Sequence, residues 1–564
     1  GPDERGDYAY ENTYLYHTRL AIQDILNGQQ PMHSHHLSIS FNGEIYNHQE
    51  LRQKYLKQSF KTESDVETLL ELINKYGLSI LNQVDGMFAF ALIDKKNQTL
   101  TLCRDRAGKK PLYWLKQKKE VFFASELNAL KSMTKLSLEE TNINRFLRLG
   151  YFYGIETPYK NVYELEAGSA LVFDLKTLES KKSLWWIQDK TKRKMGSKKE
   201  ILDKLDQVLR SAVKNRFISS DIEVGTFLSG GIDSGLVTAI LAQISKKPIK
   251  TFTVKFEGCY DESSLAKYVS DKYQTEHTEI NINFDNLFPT IKTILENYGE
   301  PFFDPSAIPS YLVSREASKH VKVILNGDGA DELFGGYRRY LPYAKWAPLI
   351  NNKGIQFFSK KLFKLCPFPK SKQSYYNYFY RLLALCKSTA DEQYLTATTD
   401  IFEGFLDEAF IQKPDLSHSN LLQPISSVDE MMQRDFTNIL TGNLLVKMDI
   451  ASMQNSLEAR SPFLSGDMIA LSHHLENSWK IKGRQSKYIL RELAKRYLPK
   501  ELWDQPKRGF EIPLVHWSKT LLKKNIEDLL LNKKSFSQQF LKAAFIDRLF
   551  DEKANCFPEE KKAK

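Results

Sequence analysis

The chain has 564 residues, 42% hydrophobic and 26% charged, enough for two or more domains with cores of their own. Its 80 Lys and Arg against 69 Asp and Glu give a formal net charge of +11 that reads as thinly spread. No nucleic-acid-binding motif accompanies that charge, and no apolar run approaches the roughly 18 residues of a membrane span, so neither nucleic acid nor membrane is expected as a partner.

The opening "GPDERGDYAY" has no initiator Met and no targeting segment, and reads as a piece whose true start lies upstream. Residues 1 to about 185 carry short segments with the two-residue period of half-buried strands: "HLSISF", "GMFAFALID", "TLTLC" and "EVFFAS". Turns such as "DKKNQ" separate them, and a helix is expected over 66–75. This pattern predicts an α+β domain of stacked antiparallel sheets with flanking helices. From about residue 195 the period changes. Helical "KEILDKLDQVLRSAVKNRF" precedes an apolar strand at 224–228 and a helix marked by Leu236, Val237, Ile240 and Leu241. Strand "IKTFTVKF", helix "ESSLAKYVSDKY", strand "HTEININ", a helical pair and a strand opening "VKVILNGDGADELFGG" follow. Such alternation predicts an α/β, doubly wound parallel sheet with its ligand beyond the carboxyl ends of the strands. Residues 341–435 are helical, aromatic and basic. The five cysteines, Cys103, Cys259, Cys366, Cys386 and Cys556, show no CxxC pair and read as reduced thiols of a cytoplasmic protein.

Two turns fall at the expected ligand edge. "SGGIDS", Ser229 to Ser234, joins a strand to a helix N-terminus, where glycines permit close approach and unpartnered N–H groups attract an anion such as phosphate. It lacks the Lys-Ser/Thr pair of a P-loop and carries Asp233 instead, an arrangement that makes electrostatic sense with a divalent metal between carboxylate and phosphates. "NGDGADELFGGY" puts Asp328, Asp331 and Glu332 within five residues. Asp233 and Asp331 form the natural pair for Mg²⁺ on a pyrophosphate.

"SGGIDS" is also the signature of the pyrophosphate-loop ATP pyrophosphatases. Together with "HTRLAI", "FNGEIYN", "TESDVETLL", "CRDRAGKKPLYW", "FASELNAL", "LVKMDIASMQNSLEARSPFLSGDM", "GRQSKYILRE" and "QPKRGFEIPLVHW", it makes the chain resemble the glutamine-hydrolysing asparagine synthetases. The resemblance implies a glutaminase domain of N-terminal-nucleophile hydrolase type over 1–185 and an ATP-dependent synthetase domain with extra helices over 195–564. It implies that Arg19 holds the carboxylate of glutamine, Asn42 and Gly43 form an oxyanion hole, and Glu44 and Asp65 take its ammonium group. The family's nucleophile is a cysteine at position one of the mature chain, so it is expected upstream of Gly1, and the chain as given is not expected to hydrolyse glutamine. Cys103 is no substitute. Leu228, Val254 and Gly327 are implied to line the AMP. Lys487 is implied to neutralise the departing pyrophosphate, and Asp328 stands where the model bacterial enzyme has a glutamate. Ser465 replaces an aspartate of the family's "PFLD", which leaves that residue's capping or metal contact open. The implied small-molecule partners are ATP, aspartate and glutamine or ammonia, with a homodimer. Relatives that amidate sugar carboxylates share the plan, and a catalytically silent nucleotide-binding protein is the reading from another class.

Overall fold

The structure, a computed structural model, describes residues 1–193, 195–255, 262–281, 287–367, 369, 374–399, 402, 405–505 and 512–550. Cys259, Cys556 and positions 506–511 of the "QPKRGFEIPLVHW" motif lie outside the described residues.

Eleven strands build the N-terminal half: β1 (Glu4–Tyr10), β2 (Thr13–Arg19), β3 (Met32–Ser34), β4 (Leu37–Ile45), β5 (Gly86–Asp94), β6 (Thr99–Arg104), β7 (Tyr113–Gln117), β8 (Glu120–Ala124), β9 (Val162–Glu164), β10 (Ser169–Asp174) and β11 (Ser180–Leu184). Six of them form an antiparallel sheet in the order β11-β10-β6-β5-β4-β3. The alternation in β5 explains its double burial. Ala89, Ala91 and Ile93 join a core with Leu15 of β2 and with Trp114 and Phe123 of the β8-β7-β9 sheet. Phe88, Phe90 and Leu92 face the other way, onto Leu69, Leu70 and Ile73 of helix Asp65–Tyr76. Stacked antiparallel sheets with a flanking helix are the expected α+β arrangement. The β1–β2 hairpin was not foreseen, because its outward Tyr14 and Tyr16 are exposed and blur the apolar period.

In the C-terminal half, β12 (Val224–Phe227), β13 (Lys250–Lys255), β14 (Glu276–Asn281), β15 (Val323–Leu325) and β16 (Glu458–Arg460) form one parallel sheet ordered β14-β13-β12-β15-β16. One face buries helices Lys198–Ile218, Ile232–Ile244 and Ser263–Tyr273 through Leu205, Leu209, Leu236, Ile240 and Val269. The opposite face packs Phe252, Val254, Ile324 and Ala459 against helix Ala307–Ala317. Helices on both faces make the sheet doubly wound, and the strand order reverses between β12 and β15, where such sheets open a ligand crevice. The predicted β15 is short: after Leu325 the chain turns, and Gly329, left-handed at φ 90°, starts helix Ala330–Phe334, which carries Asp331 and Glu332. The extra helices lie between β15 and β16, gathered on Tyr340, Tyr343, Leu385, Tyr394 and Met431. Ser465 retains a cap, its Oγ accepting the N–H of Met468 at 3.3 Å at the head of helix Gly466–His474. Among the described residues no helix is long and apolar enough to cross a membrane.

Candidate active site

At the end of β12 the two serines of "SGGIDS" tie the loop to itself. Ser229 Oγ accepts the N–H of Gly231 at 3.2 Å and lies 2.9 Å from Ser234 Oγ, which accepts the N–H of Ser229 at 3.1 Å. Helix Ile232–Ile244 starts after Gly231, which gives no side-chain cap. Its dipole and leading N–H groups therefore suit an anionic ligand. The end of β15 approaches the same point: a Cβ on Gly327 would stand 2.8 Å from Asp233 Cβ and 3.2 Å from the Ser234 nitrogen, so only glycine lets the two turns meet.

Lys487 joins them. Its Nζ contacts the Asp233 carboxylate and lies 2.7 Å from Asp331 Oδ1, with the side chain only 3% exposed. Its backbone is left-handed, φ 53°, at the residue preceding helix Tyr488–Ala494. Burial works against its charge, yet Asp233 and Asp331 outweigh that and hold the ammonium above its ordinary range. A Cβ on Gly336 would fall 1.7 Å from Asp331 Oδ1 and 2.3 Å from Lys487 Cε, so this glycine makes room for the ion triad. The cavity above it holds about 320 Å³ and is lined by Leu228, Gly230, Val254, Asn326, Asp328 and Lys447 among others. Asp328 accepts from Asn326 Nδ2 at 2.7 Å, and Lys109, reaching over from the N-terminal half, brings its buried Nζ to 3.7 Å from the same carboxylate. Burial, foremost, lowers the Lys109 ammonium below its ordinary range. Across the cavity Lys447 Nζ donates to Asp304 at 2.9 Å and Ser306 Oγ at 2.8 Å. Burial would raise the Asp304 carboxyl, but Lys447 and Ser306 hold it low and ionised.

The five residues implied for glutamine lie together around β4. Gly43 takes φ 144°, and a Cβ there would come within 2.0 Å of the Met87 carbonyl oxygen. Asn42 Nδ2 donates to Ser125 Oγ at 3.3 Å. Asp65 accepts the N–H of Ile45 at 2.8 Å, and burial pushes its carboxyl up to about 6. The Glu44 carboxyl is raised well above its ordinary range by burial and then by Asp65. The Gln23 amide, oriented to suit its neighbours, donates to Glu44 Oε1 at 2.8 Å and Asp65 Oδ1 at 3.2 Å. Arg19 donates to Glu4 Oε2 at 2.8 Å and to the carbonyls of Ile25, Gln23 and Asp24 at 3.1, 2.8 and 2.8 Å. Cys103 is fully buried in β6, and burial pushes its thiol well up.

Comparison with known proteins decides the lineage. The asparagine synthase family model matches residues 204–564, and a glutamine amidotransferase domain model matches 1–186. The chain belongs to the asparagine synthase family. It is 29% identical over 94% of its length to the glutamine-hydrolysing asparagine synthetase 1 of Bacillus subtilis (strain 168), covering 84% of that protein. Identity is 30% over 60% of the chain and 59% of the glutamine-hydrolysing asparagine synthetase B of Escherichia coli (strain K12). It is 26% over 94% of the chain and 85% of the amidase chyE of Penicillium rubens.

Within this asparagine synthase architecture, two buried ion pairs cross between the halves beside the two residue sets. Lys110 Nζ donates to Asp449 at 2.9 Å, and Arg460 Nη2 to Glu44 at 3.0 Å while its Nε holds Glu458 at 2.8 Å. Mg²⁺ fits the donor set. Among the described residues no three His, Cys, Asp or Glu converge on one point. Asp233 and Asp331 nevertheless converge on one ammonium, and Mg²⁺ is commonly held by one or two carboxylates with the remaining ligands from water and phosphate. The residues missed in sequence are Lys109, Asp304, Ser306 and Gly336. Lys109 and Gly336 stand inside "CRDRAGKKPLYW" and "FGGY", where they could have been asked about; "FFDPSA" around Asp304 carries no signal.

Proposed function

We propose that the chain is a glutamine-dependent asparagine synthetase in which the C-terminal half adenylates the side-chain carboxylate of aspartate and ammonia then displaces AMP. The observation that carries this reading is the Asp233–Lys487–Asp331 triad, its ammonium buried, at the crevice between β12 and β15. A carboxylate oxygen attacks the α-phosphorus of ATP, and the bond to the bridging oxygen of pyrophosphate breaks with its electrons. Lys487 meets the charge that develops there. Leu228, Val254 and Gly327 take the adenosine and α-phosphate side, while Ser229 to Ser234 present the helix N-terminus to the phosphates. Asp233 and Asp331 would hold Mg²⁺, which would supply neutralisation of the pyrophosphate. The ammonia nitrogen attacks the acyl carbon, AMP leaves with the carbon–oxygen electron pair, and Asp328 is assigned to the surplus proton. Arg19, Asn42, Gly43, Glu44 and Asp65 are assigned to glutamine, the source of ammonia. Products of the synthetase step are asparagine, AMP and pyrophosphate; glutamate joins them where the glutaminase nucleophile is present.

The test mixes the chain with ATP, Mg²⁺ and ammonium, with aspartate or without, and quantifies AMP, pyrophosphate and asparagine. Aspartate-dependent AMP matched one to one by asparagine is the expected result. AMP released with a uronic acid but not with aspartate reassigns the acceptor to a sugar carboxylate, and nucleotide binding with no AMP from any acid overturns the adenylation reading.

A further inference from the structure

The net charge is not thinly spread. Residues 333–390 contain eleven Lys and Arg and no Asp or Glu, a local excess equal to the whole formal net charge of +11. The rest of the sequence is charge-balanced. This segment holds helices Tyr340–Ile350, Lys353–Phe363 and Tyr375–Lys387, whose inner sides bury Tyr340, Tyr343, Ile350, Leu385 and Cys386. Its outer side leaves large apolar groups in water: Phe358 is 72% exposed, Leu365 80% and Tyr375 83%, with Phe357 and Leu362 close by. Phe358 and Leu362 stand one turn apart on the helix, Leu365 follows in the turn just beyond its end, and Lys353, Lys360, Lys361 and Lys364 are exposed on the same segment, Lys361 three residues from Phe358.

We infer that this helical layer docks the enzyme on an anionic lipid surface. Aromatic and leucine side chains on one segment with lysines beside them form the pattern of a helix that lies in the headgroup region, apolar groups inserted and ammonium groups on lipid phosphates and carboxylates. Within the segment no acid opposes such a surface, although Arg339 is spent on Asp435, and Leu362 and Leu365, which have no stacking face for a base, favour lipid over nucleic acid. Peripheral docking needs no spanning segment, so the lack of one in the sequence does not oppose it. The layer is separate from the triad and stands whichever acid the enzyme activates.

The test is vesicle flotation of the full chain with phosphatidylcholine alone and with phosphatidylcholine containing phosphatidylserine. Binding to the anionic vesicles only, weakened by salt, is expected. Lys360→Glu/Lys361→Glu/Lys364→Glu lowers partitioning at least about a hundredfold, and Phe358→Ser/Leu365→Ser lowers it about tenfold or more at low salt. These side chains are exposed, and unchanged thermal melting verifies that both variants fold. Absence of flotation by the folded protein at low salt overturns the inference, as does equal flotation of the variants. Two further results overturn it: a solution dimer that dissociates on Phe358→Ser/Leu365→Ser, which makes the face a contact between copies, and tight binding of a single-stranded oligonucleotide without vesicle binding.

Discussion

Lys487 stands between two carboxylates that would otherwise repel each other, and its Nζ contacts both. Lys487→Met is expected to lower ammonium-dependent AMP formation by about a hundredfold or more, with ATP binding much less affected; single-turnover AMP release checks it, and a change confined to ATP affinity would refute a role in the departure of pyrophosphate. Lys480 shows what burial does to an ammonium whose partner carboxylate is shared with a second lysine. Its side chain is 2% exposed and its Nζ is 3.6 Å from Asp429, so burial, helped by neighbouring Lys192, lowers its pKa to about 7. A base depressed in the folded state stabilises the fold least at low pH: stability falls as pH drops from the unfolded value near 10.5 toward 7. Lys480→Met is therefore expected to stabilise the protein at pH 7 by roughly 2–4 kcal/mol, with the difference fading toward pH 10.5. Paired chemical-denaturation curves at the two pH values decide it.

The turn between β6 and β7 works as a post planted in one half and reaching into the other. Asp105 accepts the N–H groups of Ala107, Lys109 and Lys110 at 3.0 Å each and that of Phe88 at 3.1 Å, fixing where Lys109 and Lys110 point. Lys109→Met is expected to slow ammonium-dependent synthesis about tenfold without unfolding the protein, and to add nothing to the defect of Asp328→Asn if the two act together. Additive defects in the double variant would sink that coupling. Elements such as this also show what sequence can convey. "GMFAFALID" coincides with β5, because both faces of that strand are packed and its two-residue period is complete. The strand-to-helix turn at Ser229–Ser234 was equally legible from its glycines. β16, "EAR", was not: its three residues are wholly buried, but Glu458 and Arg460 are paired with each other, so no apolar period marks them. Lys109 drew no notice inside "CRDRAGKKPLYW", since its target lies more than two hundred residues away.

At the scale of the whole molecule the halves are joined by charge as well as by apolar packing. Arg460, with no exposed surface, gives Nε to Glu458, Nη1 to the Arg216 carbonyl and Ser219 Oγ at 2.7 Å each, and Nη2 to Glu44. Arg460→Met strands two buried carboxylates and is expected to destabilise the fold by about 3–5 kcal/mol. Partial recovery in Arg460→Met with Glu44→Gln and Glu458→Gln, followed by thermal melting, would trace the loss to those charges, and no recovery would locate it in packing. Glu44 adjoins Asn42 and Gly43 on β4, so a residue placed at one chemical centre is held by a side chain from the other half. The two halves are thus poor candidates for separate expression or for exchange with homologous modules. Severing the chain between them would bare a carboxylate whose guanidinium partner was left on the other piece, and a chimera would inherit the same defect unless both members of the pair travelled with it.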